Sequence, residues 1–292
     1  MKDNFYYFFY KMNTVTFYRK NLILDLTFSE KYVKKQIGND LLINRRNLII
    51  DIFFLTKAWD SLVIKNPIVL YIGNVDKNNI IFLARLFENV KFHVFDEKLS
   101  ISNRDKIDNI EVFKNKNEIS KYKNNEQLFI IHKGLDMDDQ KKIYEELNPS
   151  QPSLFMLDFE KFKPDDLYMK GIVFLPPWSP RYSYLTALII NPDSEMVKWD
   201  VDSNMNSLYY HNEYIKNIDN VYYNVLNGSS EIISKDLGLG RDFSAEAEAL
   251  IIFDYLYKLG KDYANEKNVI EILKKIEGKK LLSQYYGQLS RT

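Results

Sequence analysis

Residues 67–83 read PIVLYIGNVDKNNIIFL. The first half is an apolar run of strand type, the second opens a helical pattern, and Gly73 stands at the junction. In an open α/β sheet such a junction is where nucleotide-type cofactors bind. Glycine there lets the backbone approach the ligand, and an acid at the end of the next strand accepts hydrogen bonds from ribose hydroxyls. Asp96, in the run KFHVFDEK, holds that second place. After Gly73, however, come Asn74, Val75, Asp76 and Lys77 with no further glycine, and Val75, Asp76 and Lys77 crowd the cofactor's path. Gly73 and Asp96 therefore read as a vestigial cofactor pair. The plainer alternative is that Gly73 only turns the chain and Asp96 caps the following segment. The other groups able to move protons are scattered. His93, His132 and His211 lie far apart, and only His132, beside Lys133 and the acids Asp136, Asp138 and Asp139, could belong to a displaced site. With no cysteine in the chain, disulfides, thiolate metal sites, iron–sulfur clusters and Cys nucleophiles are excluded, and no metal site is expected.

The elements that must position these residues alternate. Residues 41–60 form a mostly apolar helix, 67–73 a buried strand, 79–90 an amphipathic helix, and 91–98 a short strand ending on Asp96. That spacing is a βαβ unit, which closes right-handed with parallel strands. A polar stretch follows, then a buried strand over 126–134, a helix stopped by Asn148-Pro149, and a strand over 153–159. A Pro-rich loop, LPPWSPRYS, divides two apolar runs before a helical tail. The pattern predicts α/β architecture, a doubly wound and mostly parallel sheet with helices on both faces. The 292 residues suffice for a full core. Lys+Arg and Asp+Glu number 40 each, so any basic surface must be local. No apolar run is long enough to span a bilayer, and a cytoplasmic protein without membrane contact is expected.

Three stretches taken in order, FFLTKAWDSLVIKNPIVLYIG, LNPSQPSL and PPWSPRYS, resemble the poxvirus-type poly(A) polymerase small subunit, which is also the cap-specific mRNA 2′-O-methyltransferase family. The resemblance covers roughly residues 40–260. It implies a Rossmann-like methyltransferase fold, S-adenosylmethionine as ancestral cofactor and capped or polyadenylated RNA as surface ligand. The whole chain, 1–292, is then a single methyltransferase-like domain with an N-terminal elaboration, 1–40, and a C-terminal helical elaboration, 245–292. The family's chemistry uses a Lys-Asp-Lys-Glu set in which a lysine of lowered pKa activates the ribose hydroxyl. Carried over position by position, that set falls on Arg46, Lys133, Phe155 and Leu185. Arginine stays protonated and cannot act as the base; phenylalanine and leucine carry no proton. No catalytic residue is therefore assigned, and the S-adenosylmethionine site is expected to be lost.

A methyltransferase shape without its chemistry suggests a binding partner, since function sits in what is grafted on a fold. The small subunit of the poxvirus mRNA-capping enzyme is a functional parallel: methyltransferase-like, non-catalytic and stimulatory. The expectation is a non-catalytic regulatory subunit, in a heterodimer with the larger catalytic subunit of a viral-type capping enzyme or poly(A) polymerase. RNA contact is expected through Arg45, Arg46, Lys57, Lys133 and Arg181, with Lys65 nearby and Trp178, Tyr182 and Tyr184 as stacking candidates. Glu246 aligns loosely with a family acid that reads the cap guanine. The Trp178–Tyr184 loop and the aromatic N-terminus are the interface candidates. Two alternatives stay open: an active S-adenosylmethionine-dependent cap 2′-O-methyltransferase with a rearranged site, and a stand-alone RNA-binding protein.

Overall fold

The computed structural model describes residues 43–210, apart from 135, 162–166 and 175–184, and residues 245–276 apart from 266, together with Leu26 and Lys31. Helix α1 (Ile43–Ala58) leads into strand β1 (Ile68–Ile72), α2 (Lys77–Leu86), β2 (Lys91–Phe95) and β3 (Ile110–Phe113). Then come β4 (Leu128–His132), α3 (Met137–Leu147), β5 (Ser153–Asp158), β6 (Leu167–Met169), β7 (Ile172–Phe174), β8 (Leu185–Ile190) and β9 (Met196–Lys198). Helices α4 (Val201–Tyr210) and α5 (Ala245–Leu259) follow, with further helical residues at 267–276.

Seven strands form one sheet in the order β3-β2-β1-β4-β5-β8-β7, while β6 and β9 pair separately. Strands β3, β2, β1, β4 and β5 are parallel; β8 runs antiparallel to both β5 and β7. The order reverses between β1 and β4, so the carboxyl ends of these strands frame the switch-point crevice where ligands bind in open α/β sheets. The α/β expectation is met, and the reversed β8 explains the paired apolar runs on either side of the Pro-rich loop.

Both sheet faces are covered because the central strands are apolar in both directions. Val69 and Tyr71 of β1 point into a core shared with α1, α2 and α5, whereas Leu70 and Ile72 point into one shared with α3 and α4. Helix α1 is apolar nearly all round: Leu48, Ile49, Ile50, Ile52, Phe53, Phe54 and Leu55 are all buried, as a helix held between a sheet and a second helix requires. Asp76 caps α2, its carboxylate accepting from the Asn79 amide at 2.9 Å, so this helix starts before the expected residue 79. Asn148 ends α3 in the left-handed region at φ 45°.

Strand β3 lies in the stretch that reads as merely polar. It is a sheet edge whose four residues are exposed or half-buried, so the apolar signal that marks β1 and β4 is missing. The N-terminal elaboration lies outside the described residues except for Leu26 and Lys31. Among the described residues no helix is long and apolar enough to cross a membrane.

Candidate functional site: the carboxyl-edge crevice

Gly73 leaves β1 with φ 113°, a conformation that side-chain-bearing residues rarely adopt. A Cβ at this position would lie 2.9 Å from the Gly134 amide nitrogen and 3.1 Å from the Lys133 carbonyl carbon. Glycine is thus demanded here by the close approach of the chain leaving β4. The Gly73 amide donates back to the Phe95 carbonyl at 3.3 Å, which brings the ends of β1 and β2 together.

Asp96 stands where a ribose-binding acid would stand, but its carboxylate is engaged by its own chain. One oxygen accepts from the Val75 amide at 3.0 Å; the other accepts from the amides of Lys98 at 2.8 Å and Leu99 at 3.2 Å. A carboxylate offers about four acceptor sites, so little capacity remains for ribose hydroxyls. The three residues that crowd the turn each have a structural task. Val75 is buried in the core, Asp76 caps α2, and the Lys77 ammonium meets Asp105, in the loop after β2, at 2.7 Å. From the other side Lys114 donates to the carbonyls of Asp96, Glu97 and Leu99, holding the loop after β2 against β3. Hydrogen bonds within the chain thus join the loops after β1 and β2, to one side of the switch point.

Deeper in, the Lys133 ammonium lies 2.6 Å from Asp51 of α1, and the Tyr71 hydroxyl donates to the same carboxylate at 2.6 Å. Burial raises the Asp51 carboxyl above its ordinary range, opposed by the charge of Lys133. Burial and the neighbouring Asp51 push the Tyr71 phenol well up, so it stays protonated and donates. This overturns the assignment of Lys133 to an RNA-facing surface: the residue is 8% exposed and its charge is spent inward. The lone acid in the apolar run LIIDIFF was the sequence signal for this network, because a buried charge must find a partner.

Lys57 is corrected in the same way. It forms a 2.6 Å ion pair with Asp254, joining α1 to α5. Lys65 is exposed, its ammonium donating to the Ser61 carbonyl at 3.1 Å. Arg45 and Arg46 fall in the first turn of α1, while Arg181, the Trp178–Tyr184 loop, His211 and the side chain of Glu246 lie outside the described residues.

The other transferred positions are also occupied by structure. Phe155 sits in the middle of β5, fully buried, its ring stacked on His132 with centroids 6.1 Å apart. Leu185 opens β8 opposite Asp158. His132 is drawn toward Asp139, with Nε2 3.6 Å from the carboxylate, while its Nδ1 accepts from the Gly134 amide at 3.0 Å. Burial pulls its pKa down to about 4. With one nitrogen held by backbone and the ring shut away from solvent, His132 and Asp139 do not form an accessible acid–base pair. Asp136 is used to cap α3. Beyond Leu154 the strands β4 and β5 cease to pair, and Gln140 completes the ladder by bonding both the amide and the carbonyl of Met156. Among the described residues no group of three His, Cys, Asp or Glu side chains could hold a metal ion.

Strand order and direction define the fold class: a Rossmann-like α/β fold, with a mixed sheet of seven mostly parallel strands. No family model matches the sequence, and no curated protein matches it. Among solved structures the chain is similar to bluetongue virus VP4, described as a multifunctional RNA-capping production line, at 14% identity and a TM-score of 0.40. The match covers 58% of this chain and 29% of that one, so the chain spans under a third of the viral protein's length.

Proposed function

We propose that this chain is a non-catalytic, methyltransferase-like subunit of a viral-type mRNA capping or polyadenylation complex, stimulating a larger catalytic partner. The observation that carries this reading is the internal engagement of Asp96 and of the loops after β1 and β2. The acid that would hold a ribose is engaged by Val75, Lys98 and Leu99, and Lys77 pairs with Asp105 in the loop after β2. The residues at the transferred catalytic positions support it, since Lys133 is neutralised by Asp51 and Phe155 is packed in the core. The resemblance to the poxvirus-type small subunit suggests the process, capping or polyadenylation; the internal bonds of Asp96 support the proposed loss of chemistry.

RNA contact in this reading falls to Arg45, Arg46 and Arg181, with Lys65, because Lys57 and Lys133 are engaged internally. The first turn of α1 lies toward the carboxyl edge of the sheet, since α1 runs into the amino end of β1. Reversing both Arg45 and Arg46 to Glu is expected to weaken binding to short RNA equally across sequences. The slope of log affinity against log salt is expected to flatten by about 0.7 for each phosphate that is no longer neutralised. Unchanged affinity would remove this helix end from the interface.

The test of function is to combine the purified chain with the larger capping or polyadenylating enzyme encoded by the same genome. Cap methylation or tail length is then measured with and without the chain. Stimulation and co-elution are expected. A catalytic subunit that works equally well alone and elutes separately would overturn the proposal.

A further inference from the structure

We propose that the amino edge of the sheet, opposite the crevice, carries a self-association surface, and that a second copy of this chain covers it. The surface is built at the junction of α1 and α5. Lys258 of α5 donates to the carbonyls of Thr56 and Trp59 at the end of α1, and its ammonium lies 5.5 Å from the centre of the Trp59 ring. The Trp59 indole donates in turn to the Ile64 carbonyl at 2.9 Å, fixing the turn that leads to β1. Around this tie stand Leu62 at 81% exposure, Val63 at 75%, Leu259 at 55% and Tyr263 at 58%. Among the described residues only three other large hydrophobic side chains, Leu26, Leu167 and Tyr257, are exposed to a comparable degree.

The helical repeat makes Leu259 more than a stray surface residue. The core-facing stripe of α5 runs through Ile252, Tyr255 and Leu256, all buried, and Leu259 continues it at the next step. The stripe therefore overruns the intramolecular core by one position, and the apolar turn at Leu62 and Val63 leaves α1 beside it. Together the four side chains present roughly 500 Å² of surface, at about 180 Å² for each fully exposed large residue. One half of a standard interface buries about 800 Å², of which a little over half is apolar. The patch thus matches the apolar content that a stable dimer needs.

The rim points to a like partner. Lys65 and Lys261 are balanced by Asp60 and Asp262, all exposed beside the patch. A two-fold axis sets such a surface against itself, so a rim of one sign would repel, while a balanced rim can pair. The hydrogen bonds of Lys258 and Trp59 hold the backbone of the patch in place before contact, which limits the ordering cost of association. The contact lies at the amino edge and does not overlap the carboxyl edge, so it stands whether or not the functional proposal does.

Sedimentation equilibrium on the full chain tests it. A reversible dimer is expected in the micromolar range. Leu62→Asp combined with Leu259→Asp is expected to weaken dimerisation by about 100-fold, with the far-UV dichroism and melting temperature unchanged because both side chains are exposed. Tyr257→Asp, on the opposite face of α5, is expected to leave the dimer intact. If the double variant does not fold, Tyr263→Ser with Val63→Lys serves in its place. A wild-type chain that stays monomeric to ~100 μM, a patch variant that dimerises as tightly as wild type, or a Tyr257→Asp variant that loses the dimer equally would each overturn the proposal.

Discussion

The charges inside this protein behave as matched sets, and single changes expose the matching. Asp51 and Lys133 are both enclosed between α1 and the sheet. Removing one leaves the other buried without a counter-charge, a loss on the order of 3–5 kcal/mol. Lys133→Met is therefore expected to lower the urea midpoint strongly, and adding Asp51→Leu to restore much of the loss. A double variant as unstable as the sum of its parts would mean the two charges are not coupled. His132 makes a pH argument of the same kind. Its folded pKa of about 4 lies below the ordinary 6.5, so below the ordinary value the unfolded chain binds the extra proton. Its stabilising contribution is complete above about pH 6.5 and falls away toward pH 4, by up to about 3 kcal/mol. Unfolding free energies measured from pH 7 to 4.5 are expected to fall less steeply in His132→Gln than in wild type; equal slopes would assign the acid sensitivity elsewhere.

Among the elements, the loops matter more than the strands. β1, β4 and β5 were legible in the sequence because strands buried on both faces read as continuous apolar runs. β3 was not, because an edge strand carries no such run, and the reversed β8 could not be told from a parallel strand by composition. Gly73 was legible as a turn, but its cause was not. The sequence suggested room for a ligand; the backbone shows that the neighbouring atoms are those of Lys133 and Gly134, contributed by a strand far onward in the chain. Gly73→Ala is expected to cost at least about 1–2 kcal/mol, from the positive φ and the 2.9 Å approach together. Asp96→Ala releases three amides and is expected to speed hydrogen exchange in the loops at 74–76 and 97–100 while leaving β1 protected. Uniform exchange in wild type and variant would show that Asp96 does not hold those loops. The internal partners of Lys57 and Lys133 stayed hidden for a related reason: Asp254 and Asp51 are remote in sequence, and nothing in a lysine's local context says which way it points.

In the molecule as a whole, the loops after β1 and β2 at the carboxyl edge of a Rossmann-like sheet are bonded to one another. The fold class follows from the strand order, and the tie between these loops from the bonds of Asp96, Lys77 and Lys114. The proposed loss of the cofactor site predicts that S-adenosylmethionine does not displace these contacts. Titration calorimetry of the purified chain with S-adenosylmethionine measures this directly. The expected result is no binding heat at cofactor concentrations up to ~1 mM, with the melting temperature unmoved by cofactor. A saturable isotherm with a micromolar dissociation constant, accompanied by a rise in melting temperature, would contradict it.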